Sequence, residues 1–191
     1  MKRLIILFLV IFSFSAPSFA DDISDFEIEG MSVGDSILDY LSEADINRRS
    51  DSYPNRKFSE IYANKSLEIY DDVSIAYNPW EKNKKIYSLR GVIYISFRDC
   101  ERKKFEIVEE LKGLFGNSAN VYNESRQRHQ ADRSGKSFYS ATYFDLDNGT
   151  VSVTCTDWSE KITTDNKWHD TLAVAINSQE FSDFLTNEAY K

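Results

Sequence analysis

Apolar and polar residues alternate over several stretches of the chain, and a spacing of three to four takes over between them, so strands and helices are expected to share one core. Phe26 and Ile28 alternate with Glu27 and Glu29 as a short half-buried strand that Gly30 ends. Ile37, Leu38 and Leu41 then fall on one helical face, with Asp35 and Ser36 as first-turn residues. Ser42 with Asp45 reads as a capping box opening a second helix, Glu43 to Arg49. Asn47 to Lys57 is polar and reads as a linker loop, and Phe58 to Tyr62 as a short strand. Leu67–Tyr70 and Val73–Tyr77 flank Asp71-Asp72 in the manner of a tight hairpin. Ile86 to Phe97 is the strongest strand, rich in β-branched and aromatic residues, with Gly91 as a bulge.

From Asp99, taken as a cap, a helix is expected to run to about Phe115. Phe105, Val108, Leu111 and Phe115 form its buried stripe with Ile107 and Leu114, and Gly116 closes it in the left-handed region. Asn117 to Lys136 is polar and reads as the least structured part. Phe138–Leu146 and Thr150–Trp158 form a hairpin about Asp147-Asn148-Gly149. Ser159 to Lys167 reads as a polar loop and Thr171 to Ile176 as a strand; Ser178 caps a final helix carrying Phe181, Phe184 and Leu185. The fold class is therefore α+β, a mainly antiparallel sheet with helices packed on one face, in a single domain over residues 21–191. A parallel doubly wound sheet would need helices between the strands from Phe58 to Phe97, where the pattern has none.

The first twenty residues change the picture. Lys2 and Arg3 precede an apolar run from Leu4 to Phe14, and Ser18-Phe19-Ala20 suits cleavage after Ala20. A signal peptide over 1–20 implies a periplasmic or secreted product, and the run is short of the ~20 residues of a membrane span. No cysteine follows it for lipid attachment, and no later segment is apolar enough to cross a membrane. Removing the two positive charges of the leader from a chain with 23 Lys+Arg and 31 Asp+Glu leaves a net charge of −10. Such a balance disfavours nucleic acid and anionic lipid as partners of the whole molecule. Cys100 and Cys155, the two cysteines, are expected to form a disulfide in that compartment. No metal site and no cofactor are expected: the cysteines and the two histidines are scattered, and Asp145–Gly149 fails as a calcium loop because glycine occupies a ligand position.

Two strings near the front carry candidate chemistry. Gly30-Met31-Ser32-Val33-Gly34 matches the G-x-S-x-G elbow of α/β-hydrolases. Gly34-Asp35-Ser36-Ile37 resembles the G-D-S-L block of SGNH-type esterases and lipases. That resemblance implies a serine hydrolase with Ser36, or Ser32, as nucleophile, His169 as base and Asp165 as orienting acid. The chain departs from the pattern: Asn166 stands where D-x-x-H has its acid, and no G-x-N-D block exists. The alternative is a glycine-containing strand-to-helix turn with helix-starting Asp and Ser. The head from Phe26 to Tyr40, of the form F-E-I-E-G-M-S-[IV]-G-D-S-x-L-D-Y, also resembles that of uncharacterised exported proteins of marine alphaproteobacteria, which implies an envelope address and no particular activity. A weaker likeness is to small outer-membrane assembly lipoproteins.

Arg126, Arg128, His129, Arg133 and Lys136 lie close in sequence and are either an anion-binding cluster or a solvated loop. Tyr70, Tyr77, Trp80, Tyr87 and Trp158 are either core and edge aromatics or a surface that stacks on sugar or lines a peptide groove. The sequence thus favours a non-enzymatic exported domain that binds a protein, peptide or envelope ligand, with the serine hydrolase as alternative.

Overall fold

Eight strands pair into one antiparallel sheet in the computed structural model, which describes residues 22–63 and 67–189. The expected leader, Met1 to Ala20, lies outside the described residues. The elements run β1 (Glu27–Ile28), β2 (Met31–Ser32), α1 (Glu43–Arg49), β3 (Asp51–Ser52), β4 (Ser59–Tyr62), β5 (Asp72–Tyr77) and β6 (Ile86–Tyr94). They continue as α2 (Phe97–Phe115), β7 (Asn120–Arg128), β8 (Phe138–Leu146), β9 (Gly149–Asp157), α3 (Glu160–Asn166), β10 (Thr171–Ser178) and α4 (Gln179–Asn187). The sheet order is β3-β4-β5-β6-β10-β9-β8-β7, so β10 closes the gap between β6 and β9. This is a single α+β domain.

Successive residues of a strand face opposite ways, and here the two faces differ. One face carries Ile75, Leu89, Phe144, Val151, Val153 and Cys155, all buried in the main core. α2 lies over it. Cys100 and Cys155 are disulfide-bonded with a Cα–Cα distance of 5.8 Å, joining the first turn of α2 to β9. Phe115, from the last turn of α2, packs between Phe26 and Phe144, with ring centroids 5.0 and 5.2 Å away. The N-terminal segment completes this cover with Ile23, Ile28, Met31, Val33 and Ile37. α4 carries a smaller cluster of its own: Phe181 and Phe184 meet Phe58, Ala76 and Tyr87 at one end of the sheet. Ala76 points away from its neighbours Ile75 and Tyr77 of the main core, so helical cover extends at this end round to the opposite face.

Local chemistry sets the boundaries. Ser42 accepts the amide of Asp45 and opens α1 over Glu43–Arg49, as expected. Ser178 caps α4, and Asp147-Asn148 turns β8 into β9 with Leu146 opposite Gly149. α2 starts earlier than expected. Ser96 is its N-cap, and Asp99 is the reciprocal partner of a capping box, bonded to the Ser96 hydroxyl at 2.9 Å. Its buried line runs through Cys100, Val108 and Phe115, whereas Phe105 is 66% exposed, one position off that face.

Six other expectations are corrected. The head is a hairpin and not a strand-to-helix elbow: Glu29 and Gly30 both have positive φ, 54° and 73°, which is the primed turn that joins β1 to β2. Leu67–Tyr70 is no strand. The Glu29 carboxylate accepts the amides of Glu68, Ile69 and Tyr70, so these donors are satisfied without a ladder. Gly91 stays in register between Val73 and Val174, and the irregularity lies at Ala76/Tyr77. Gly91 is small because a Cβ there would lie 2.5 Å from the Tyr70 ring. Residues 117–136, expected to be unstructured, supply the nine-residue edge strand β7. Ser159–Lys167 forms α3, capped by Ser159 and closed by Lys167 in the left-handed region, and the expected loop Asn47–Lys57 contains the end of α1 and β3.

Candidate functional site

The second face of the sheet can be built from the pairing alone. Tyr62 of β4 stands opposite Ser74, Ser74 opposite Arg90, and Arg90 opposite Ala175. Ala175 stands opposite Ser152, Ser152 opposite Tyr143, and Tyr143 opposite Tyr122. This single row crosses seven strands, about 29 Å at ~4.8 Å per strand. Tyrosines stand at its ends and small residues fill its middle, apart from one arginine. The next row toward α3 repeats the theme with Val92, Ala173, Thr154 and Ala141. The one beyond has Tyr94, Thr171, Thr156 and Tyr139. Short side chains between tall ones leave a depression, and a hollow of about 190 Å³ lies there, lined by Arg90, Tyr139, Tyr143 and the hydroxyls of Ser152, Thr154 and Thr156.

The wall on the β8 side is held in place. Glu124 accepts the Tyr143 hydroxyl at 3.2 Å, and Tyr122 stacks on the Tyr143 ring at 4.7 Å and 15°. Burial, then the Glu124 carboxylate, pushes the Tyr143 phenol above its ordinary range, so it stays a neutral donor. Burial and the nearby Glu124 carboxylate raise Tyr139 in the same way. His129 continues the wall: its ring lies 5.9 Å from Tyr139 and 4.2 Å from Trp158, which meets Trp168 at 4.7 Å. His129 Nδ1 accepts the Ala131 amide, so the ring proton of the neutral form is on Nε2. Burial and then the charge of Arg90 lower its pKa, so the ring is neutral at neutral pH. On the far side Tyr94, half exposed, donates to Asp72, which with burial pushes its phenol up to about 12.

Arg90 is the cation of this hollow. Its side chain is exposed, and among the described residues no carboxylate lies within ion-pair distance of it. A charged residue amid Ile86, Tyr87, Leu89 and Val92 is a sequence signal for this site, and His129 and Trp158 are singled out for their chemistry; bringing them together requires the register.

The residues singled out in sequence are not brought together. Ser36 pairs with Lys85 at the start of β6 and donates its hydroxyl to the Asn83 carbonyl at 2.6 Å. The His169 ring packs against Tyr94, at the other end of β6. Nine residues of extended chain separate Lys85 from Tyr94, about 30 Å at ~3.3 Å per residue. Asp165 is paired with Lys161, and Ser32 lies in β2 opposite Glu27. These side chains do not assemble a nucleophile, base and acid.

The basic cluster is divided as well. Arg126 lies over the Phe138 ring at 4.2 Å and pairs with Asp157 at 3.5 Å, while His129 joins the hollow on the other face. Arg128 lies beside Gly135, and Arg133 and Lys136 are exposed. Asp132, buried among them, accepts the amides of Ser134 and Ser137 and the hydroxyls of Ser137 and Ser159, which hold its carboxyl well below the usual carboxylate range. Of the aromatic residues, Tyr77 and Tyr87 are buried, Tyr70 packs on Gly91, Trp80 is exposed and donates its indole N–H to the Arg56 carbonyl, and Trp158 lies beside the hollow. A second groove of about 550 Å³ runs between α2 and β7, past Phe97, Phe105 and Val108. Among the described residues no three His, Cys, Asp or Glu side chains are grouped to hold a metal ion, and no helix is long and apolar enough to cross a membrane.

Compared with known proteins, the chain matches no family model, no curated protein and no solved structure.

Proposed function

We propose that this chain is an exported, non-catalytic binding protein of the cell envelope, and that its ligand lies in the hollow on the open face of the sheet. The observation that carries this reading is Arg90, an arginine with no carboxylate at ion-pair distance among the described residues, standing among small hydroxyl side chains in an acidic protein. A side chain kept there adds nothing to the core, and its fork of donors is suited to a polar or anionic ligand. Export is supported by the leader pattern of residues 1–20, by the Cys100–Cys155 disulfide and by the resemblance of the head to exported proteins.

The test is amide chemical-shift mapping of the full chain against a panel of neutral and acidic oligosaccharides, short peptides and inorganic phosphate. Shifts are expected to cluster on Arg90, Ala173, Ala175, Ser152 and Thr154. Shifts confined to the α2–β7 groove, or none across the panel, would overturn the reading. A fluorophosphonate probe is expected to leave Ser36 and Ser32 unlabelled, since neither is placed beside a base.

A further inference from the structure

Resting on that reading of the hollow, the geometry points to an acidic sugar as its ligand: a pyranose unit whose carboxylate meets Arg90 and whose ring lies against the Tyr143–Tyr139 wall. Three observations converge. The first is charge. Among the described residues no carboxylate lies within ion-pair distance of Arg90, its guanidinium matches a carboxylate in two parallel hydrogen bonds, and the chain as a whole is acidic.

The second is the lining. Ser152, Thr154 and Thr156 offer hydroxyls that both donate and accept, and His129 presents Nε2–H beside them. A ligand dense in hydroxyls satisfies such a floor, while an apolar side chain would strip it of water without replacing the hydrogen bonds. The opposing wall supplies the complement. Tyr143 has its hydroxyl engaged by Glu124 and one ring face stacked on Tyr122, so what it offers a ligand is the other ring face, held in place. A sugar ring has an apolar C–H face and a polar rim, which fits one wall and one floor of this kind.

The third is what is missing for a peptide. The floor strands β6, β10, β9 and β8 are each paired on both sides, so their backbone donors and acceptors are already used. A peptide laid across them could add no strand, the mode by which sheets usually hold extended chains. The hollow of about 190 Å³ is also below the ~300–1,000 Å³ of sites that enclose a drug-sized ligand. It suits one small ring, and the tyrosine-ended row leaves room for further units of a chain to lie beyond it.

The experiment is calorimetric titration of the full chain with tri-galacturonate, its methyl ester, inorganic phosphate and a tripeptide, paired with amide chemical-shift mapping. Wild type is expected to bind the acid about tenfold or more tighter than the ester, the worth of one charge-assisted hydrogen bond. Arg90→Gln should bind the two equally at an unchanged urea midpoint, with Arg90→Lys between, because the lysine keeps the charge and loses the fork. Equal binding of acid and ester by wild type, or a preference surviving Arg90→Gln, overturns the inference. If phosphate or the tripeptide shifts the hollow in an Arg90-dependent way and neither sugar does, the acidic sugar is wrong and the binding site stands. If no probe shifts the hollow, both fall.

Discussion

β9 shows in one strand how the two sides of the sheet differ. Val151, Val153 and Cys155 point under α2 and are buried; Ser152, Thr154 and Thr156 point the other way, into the hollow. The same contrast runs through β8, where Phe144 faces the core and Tyr143 the open side, and through β6 with Leu89 and Arg90. A period of two therefore gives each strand two separable tasks. The side that holds the molecule together can be kept constant while the other, where the ligand is proposed to lie, varies. This division explains why hydroxyls and an arginine stand in the middle of an eight-stranded sheet where apolar residues would otherwise add stability.

Truncation should separate the sides most sharply. Phe144→Ala, which empties the space beneath Phe115, is expected to lower unfolding free energy by ~3–5 kcal/mol in urea titration, with Thr154→Ala within ~0.5 kcal/mol. Similar losses at both positions would abolish the distinction. Next in size is the disulfide. Its two cysteines are 55 residues apart in sequence, and reduction or Cys100→Ser/Cys155→Ser should cost ~2–5 kcal/mol while leaving amide shifts of the hollow in place.

The Glu29 carboxylate caps three amides of the loop beside Tyr70, and Glu29→Ala should cost ~1.5–3 kcal/mol, with hydrogen exchange accelerated first at Glu68, Ile69 and Tyr70. The smallest effect belongs to pH. Asp132 has a folded pKa held below that of the unfolded carboxyl, ~3.9, by its hydrogen bonds. Its contribution is complete above that value and is lost as pH falls through the folded pKa. Asp132→Asn should therefore flatten the acid limb of the urea midpoint below about pH 4, and an unchanged limb would refute the role.

The core side was largely legible in the sequence, because burial imposes periodicity: β6, β8, β9, β10 and α4 follow from alternation, turn residues and caps. β7 escaped because an edge strand exposed along nearly its whole length, NVYNESRQR, carries no apolar alternation. α3 escaped because it buries no residue. Leu67–Tyr70 misled because a distant carboxylate, and not a neighbouring strand, takes its amides. The hollow was illegible for another reason. Tyr62, Arg90, Ser152 and Tyr143 are far apart in the chain and meet only through the register of consecutive pairings. Arg90, as a charge inside an apolar run, and His129 and Trp158, each singled out in the sequence for another grouping, were the traces the hollow left.

The Cys100–Cys155 bond encloses most of α2, all of β7 and β8, and the exposed turn that joins those strands. A protease outside the cytoplasm that nicks this turn, at Arg128 or Arg133, would find both pieces still covalently joined, and β8 still laddered to β9 on its inner side. A single cut in the stretch that builds the aromatic wall thus opens the chain without releasing a fragment.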